Sequence, residues 1–219
     1  MKDIKAIKGK YYLQRLIAEG EHDRQDFKFA ISDARKIARS LSAFANAGGG
    51  HLLIGVKDNG AIAGVRNEED IYVIEQAATL YCRPVQQLRF TAYKADEGAV
   101  VIKAEIDRSE TRPVMAMDTD GRWKAFYRVA DENITASPLM VKAWRGAVSG
   151  RPMTITLGPA EDTLLSMIRR DGHSTAEKFM VEARISRKMA EDTIVRLFAV
   201  GVIDFRHIDR EFVIVGTDC

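Results

Sequence analysis

Tyr12, Leu13, Leu16 and Ile17 fall three and four residues apart, which predicts a short amphipathic helix within residues 1–20. The same period returns over residues 33–46, where Ile37, Leu41, Phe44 and Ala45 form one stripe and Arg35, Lys36 and Arg39 stand opposite. Between these helices, Asp26-Phe27-Lys28-Phe29 alternates as an extended strand does, with Asp26 and Lys28 on one face and both phenylalanines turned to the core. A triple glycine, Gly48-Gly49-Gly50, ends the second helix and opens an apolar run. That run (51–57) and residues 61–65 predict a hairpin closed by Asp58-Asn59-Gly60. A helix over Glu68–Tyr81 follows, and then further strands of a mixed sheet at 86–94, 99–107, 113–118 and 122–129.

Ser137-Pro138 starts another helix, with serine as cap and proline in the first turn. Gly146, Gly150, Pro152, Gly158 and Pro159 then punctuate a linker, so the reading is an α+β chain with domains at 1–150 and 158–219. Helical patterns at 160–171, 174–183 and 186–200 come next. Residues 202–205 and 212–215 flank a turn at Ile208-Asp209-Arg210, and three helices plus a β-ribbon predict a winged helix-turn-helix.

The composition, 46% hydrophobic and 29% charged over 219 residues, is that of a soluble globular protein. No apolar run approaches the roughly 18 residues of a membrane span, and Met1-Lys2-Asp3-Ile4-Lys5 lacks a signal-peptide core, so the expectation is a cytoplasmic chain without membrane contact. Two cysteines, Cys82 and Cys219, make neither a disulfide framework nor a CxxC metal pattern. Net charge is +3 over residues 1–150 and −1 over 151–219, with +4 in the first 40 residues alone. That bias suits a polyanionic partner, and a solvated surface equally.

Glycine-run amides can meet a phosphate, although a helix stop explains one glycine of the three. Asp26 beside Lys28, with Glu21 upstream and Asp58 at the turn, suits phosphodiester chemistry: carboxylates hold Mg²⁺ or Mn²⁺ and the ammonium steadies a phosphate. The alternatives are a surface ion pair for Asp26 and Lys28 and plain turn chemistry for Asp58. No GxxxxGK[ST], HExxH or GxSxG pattern occurs, which argues against P-loop ATP hydrolysis, zinc proteolysis and serine hydrolysis. In the second domain Ser186 caps a third helix that opens with Arg187 and Lys188, candidate phosphate contacts, although Glu191 and Asp192 share that helix.

Glu21 through Phe29, Ala43-Phe44-Ala45-Asn46, the glycine run, Leu53-Ile54-Gly55-Val56, Asp58, Gly60, Gly64-Val65 and Tyr127-Arg128-Val129 carry a resemblance that covers roughly residues 10–145. Over them the chain resembles the AlbA-like domain of the Schlafen group, which a winged helix often follows. The resemblance implies a DNA- or RNA-binding protein, such as a transcriptional regulator. It also implies, through animal relatives that cleave transfer RNA, a metal-dependent endoribonuclease with Glu21, Asp26 and Asp58 as ligands and Lys28 as stabiliser. Position 26 is Asp where the family usually has Glu, which shortens the ligand's reach. A single lobe would need a homodimer to build the groove that two lobes build in animal members. The reading therefore expects nucleic-acid binding through Lys28, Arg35, Lys36, Arg39, Gly48, Gly49, Gly50, Arg128, Arg187 and Lys188, with a nuclease and a protein-interaction scaffold as rivals.

Overall fold

The computed structural model describes residues 5–29, 31, 33–65, 69–95, 98–148 and 158–217. Glu68, the linker residues Gly150 and Pro152, and Cys219 lie outside them. The chain divides into two units, Met1–Ala136 and Ser137–Cys219. The helix begun by Ser137 and Pro138 thus belongs with the C-terminal unit, whereas the sequence reading placed it at the end of the first domain.

The first unit runs β1 (Ile7–Lys8), α1 (Lys10–Glu19), β2 (Gln25–Lys28), α2 (Ala34–Asn46), β3 (Gly50–Ile54), α3 (Glu69–Leu80), β4 (Cys82–Arg83), β5 (Arg89–Lys94), β6 (Val100–Ile106), β7 (Met115–Met117), β8 (Trp123–Val129) and β9 (Glu132–Thr135). It is a mixed α+β unit with two sheets. One is mixed and five-stranded, in the order β1-β5-β6-β3-β2; the other is antiparallel, in the order β4-β7-β8-β9. The strands from 86–129 are therefore split between two sheets rather than joined in one. Alternation marks a strand but not its partner, and only the packing of α2 separates the two sets.

The stripe of α2 buries Ile37, Leu41 and Phe44 against Leu52, Ile54 and Ile102 of the first sheet and Val114, Ala116 and Phe126 on the side of the second. On the other face of the five-stranded sheet, Leu13 and Leu16 of α1 pack on Phe27, Leu53 and Val101. Phe27 is core as expected, while Phe29 is half-buried beneath the Lys57 ammonium.

The expected hairpin does not form. Its turn exists, with the Gly60 N–H on Lys57 O at 2.7 Å, but residues 61–65 contribute only the bridge Val56↔Ile62. Strand β3 stops at Gly55, whose φ of +94° belongs to glycine, and a Cβ there would lie 2.7 Å from the carbonyl carbon of Gly64. The backbone of 63–65 packs onto Gly55 and Val100 instead of running alongside β3.

The second unit holds α4 (Pro138–Val148), α5 (Pro159–Asp171), α6 (Ala176–Ala183), α7 (Arg187–Ala199), β10 (Ile203–Ile208) and β11 (Glu211–Gly216). Ser137, Thr175 and Ser186 each accept an N–H of the first turn that follows. Asp209 and Arg210, at φ +49° and +68°, make the tight turn of the β10–β11 hairpin. Leu164, Phe179, Ile194, Leu197, Ile203 and Ile214 are buried in this unit. Helix α4 lies along α7, where the Lys142 ammonium meets Glu191 at 3.2 Å and Asp192 at 2.9 Å.

Candidate nucleic-acid interface

The expected carboxylate site does not assemble. Among the described residues no three His, Cys, Asp or Glu side chains are placed to hold a metal ion. Asp58 sits exposed on its turn. Asp26, 4% exposed, lies on the α2 side of β2, where Lys28 Nζ stands 2.8 Å away, Arg128 Nη2 3.7 Å away, and Ser40 Oγ donates to it at 3.2 Å. Its charge is thus answered by two cations of the chain. Glu21 is the neighbour within hydrogen-bonding reach of Asp26; burial, and then that contact, raises its carboxyl above the usual range, which opposes the ionised form a metal ligand needs. These residues do not fit the Mg²⁺ or Mn²⁺ that the resemblance implied.

Arg128 is likewise internal. At 3% exposure it donates to His22 O at 3.2 Å, Gln25 O at 3.1 Å and Asn133 Oδ1 at 3.0 Å, and it lies over the Phe44 ring. It fastens β8 to the turn before β2, and the expected phosphate contact is corrected: no donor is left pointing outward. Lys28 also donates to Phe27 O at 2.8 Å and stays partly covered.

The glycine run splits by role. The Gly49 N–H donates to Phe44 O at 2.9 Å, closing the end of α2, and its φ is +76°. A Cβ on Gly49 would lie 2.9 Å from Ile106 O and Arg108 N, and one on Gly50 would collide with the Phe44 ring. Two of the three glycines are therefore required by packing, and the Gly49 amide is not free for an anion. Gly48 is different: a Cβ would meet nothing nearer than Arg24 Nε at 3.9 Å. It borders a cleft of about 330 Å³ together with Arg24, His51, Arg89, Glu105 and Asp107.

At the opposite end of α2 the cations gather. Asp33 caps the helix by accepting the Arg35 N–H at 2.9 Å. The Arg35 guanidinium lies 5.7 Å over the Tyr81 ring and reaches Thr119 O at 3.4 Å; Arg39 lies 5.0 Å over Phe126 and 3.8 Å from Asp118. From β4, Arg83 stacks on Trp123 of β8 at 4.1 Å. Tyr81 O accepts the Met117 N–H at 2.9 Å, and Met117 faces Trp123 across the β7–β8 pair, so these stacked groups are neighbours. A guanidinium laid on a ring keeps its donors directed outward in a fixed plane.

Lys124 Nζ holds Asp118 at 2.7 Å and Asp120 at 2.8 Å and keeps both carboxyls below the usual range. Lys36 and Arg83 have no carboxylate partner among the described residues. The carboxylates met here, Asp118 and Asp120, are held by Lys124 and, for Asp118, approached by Arg39, while Arg35, Lys36 and Arg83 pair with no carboxylate among the described residues, which leaves positive charge unanswered. Sequence reasoning found Arg35, Lys36 and Arg39 but missed Arg83, Arg122, Lys124 and Trp123. Nothing in their spacing links them to α2, and the Arg-Trp-Lys run of 122–124 was the one available signal.

In the second unit, Arg187 and Lys188 are exposed at the start of α7, where Arg187 Nε pairs with Glu191 at 2.9 Å. Farther along, a Cβ on Gly146 would lie 2.6 Å from Val195, so α4 covers the middle of the Glu191–Val195 face.

No curated protein matches the chain. Among solved structures it is similar to the DIP2311 protein from Corynebacterium diphtheriae, at 19% identity and a TM-score of 0.46, over 93% of this chain and 37% of that protein. The chain therefore spans little more than a third of that relative's length. It is also similar to the N-terminal domain of a RecG-related protein from Nitrosomonas europaea, at 17% identity and a TM-score of 0.41, over 68% of this chain and 95% of that domain. The family described as Schlafen, AlbA_2 matches residues 21–137, more than half of the 219 residues, and the chain belongs to that family.

Proposed function

We propose that this protein binds nucleic acid through the basic face at the start of α2 and acts as a cytoplasmic transcriptional regulator. The observation that carries the reading is the run of arginines stacked on Tyr81, Phe126 and Trp123, beside cations that lack carboxylate partners among the described residues. Polyanion binding releases counterions wherever such cations meet phosphates. Membership of the AlbA_2 family supports the same reading. No helix among the described residues is long and apolar enough to cross a membrane.

The α5–α6–α7–hairpin order supports a winged helix as the second domain, with Arg187 and Lys188 touching phosphates from the first turn of α7. Its remaining role is docking to protein, including a second copy of the chain in a homodimer; the cover that α4 lays on α7 favours this over base reading. Fluorescence anisotropy of labelled DNA and RNA, titrated at several salt concentrations, tests the proposal. Affinity that falls steeply with salt is expected, and no salt-dependent affinity for either polymer sinks it.

A further inference from the structure

We propose that the cleft beside Gly48 takes one unstacked nucleobase of a single strand, while the basic face at the far end of α2 holds the phosphates. This rests on the nucleic-acid reading and adds a site and a strand type to it.

The first argument is charge. In the cleft wall Arg89 is already held by Asp107 in a two-point pair, Arg24 Nη2 donates to Gly48 O at 2.7 Å, and Glu105 answers the Lys103 ammonium at 3.0 Å. A phosphate meets only cations that are already engaged there, whereas the face at Arg35 and Lys36 has cations to spare.

The second is the supply of acceptors. Gln25 Nε2 donates to Leu16 O at 2.7 Å and to Gly20 O at 2.6 Å. Its Oε1 must therefore accept, so His51 Nε2, 2.8 Å away, carries the ring proton and Nδ1 is left as a bare acceptor. Burial, followed by the nearby Lys103 ammonium, lowers the His51 pKa to about 4, so the ring keeps this acceptor at neutral pH. His51 Nδ1 is thus an acceptor that only an incoming donor can satisfy, beside the Asp107 and Glu105 carboxylates that Arg89 and Lys103 already hold. A phosphate diester offers acceptors alone; the edge of a base offers donors and acceptors side by side, to carboxylate and guanidinium respectively.

The third is shape. Gly48 has room for a side chain, so packing does not require glycine there, and the missing side chain leaves bare backbone on which a flat ring can rest. Its thirteen-residue helix separates cleft and basic face by about 20 Å, a span a short single strand covers.

The test uses the full chain, a short single-stranded RNA, the same strand with abasic positions, and uncharged nucleosides. Intact strand is expected to bind about tenfold more tightly than abasic strand, the worth of one well-made base contact. Gly48→Leu, which fills the cleft, and Asp107→Asn, on an exposed side chain, should each shrink that ratio toward one. Nucleosides should shift the amide resonances of Gly48 and His51. Equal binding of both strands with unmoved resonances overturns the cleft and leaves the phosphate-binding reading standing. If neither strand binds, that reading fails, and the nucleoside resonances alone decide: shifts at Gly48 and His51 uphold a base pocket, and none removes it.

Discussion

Asn46, at the last turn of α2, grips Val114 by both of its backbone groups: Oδ1 accepts the Val114 N–H at 2.8 Å and Nδ2 donates to Val114 O at 2.9 Å. Nδ2 also donates to Phe126 O at 2.8 Å, and Asn46 is fully buried. One amide therefore ties the helix to two segments of the second sheet, where the sequence offered it only as part of a family motif. Asn46→Ala would strand the Val114 N–H and Phe126 O in the core. Each such buried group costs about 1–3 kcal/mol, so a loss of about 3 kcal/mol or more is expected in urea denaturation. Asn46→Asp should be no better, since it turns an acceptor toward two carbonyls.

The glycine run separates in the same assay. Gly49→Ala places a side chain at φ +76° and against Ile106 O, and should cost about 2 kcal/mol or more. Gly48→Ala should stay within about 0.5 kcal/mol. Equal losses at both positions would contradict the roles assigned to them.

His51 should titrate at about 4 when its ring protons are followed by NMR. The unfolded chain takes up that proton from the ordinary value of 6.5 downward, so the neutral ring stabilises the fold above 6.5 and the contribution is lost as pH falls toward 4. His51→Gln should flatten the stability curve across that window. Glu21 has the opposite sign. Its raised carboxyl favours the fold below the ordinary 4.5, and that advantage disappears as pH rises through the folded value. Glu21→Gln keeps the acceptor for the Phe27 N–H, at 2.7 Å in the wild type, and should remove the decline.

Lys36→Gln and Arg83→Gln should each reduce the slope of log affinity against log salt by about 0.7 for a single strand, the share of one phosphate contact. Neither side chain holds a carboxylate among the described residues, so Lys36→Gln should barely move thermal stability, whereas Arg83→Gln also gives up its stacking on Trp123, about 0.5–1 kcal/mol. Unchanged slopes would place the nucleic acid elsewhere on the surface.

Elements whose burial repeats along the chain were legible. Leu13 and Leu16 of α1, Ile37, Leu41 and Phe44 of α2, and the Ser186 cap of α7 answer to neighbours within a few residues. The two-residue strands β1 and β4 carry too few positions to show a period, and β9 buries no position that could mark a core face, so these were missed. The carboxylate site was misjudged for a related reason: Asp26 reads as a ligand until Ser40 and Arg128 arrive from 14 and 102 residues away to enclose it.

By itself the sequence determined the helices, most strands, the α+β class and the family, because periodicity, caps and turn residues act locally and survive without knowledge of the partner. Only the tertiary structure decided which charges are spent inside and which remain for a ligand. Asp26 is answered by Lys28 on its own strand and by Arg128 from a distant one, while Lys36 and Arg83 are each exposed without a carboxylate partner among the described residues. Charge is a property of the residue, but its availability depends on what the fold sets within a few ångströms of it.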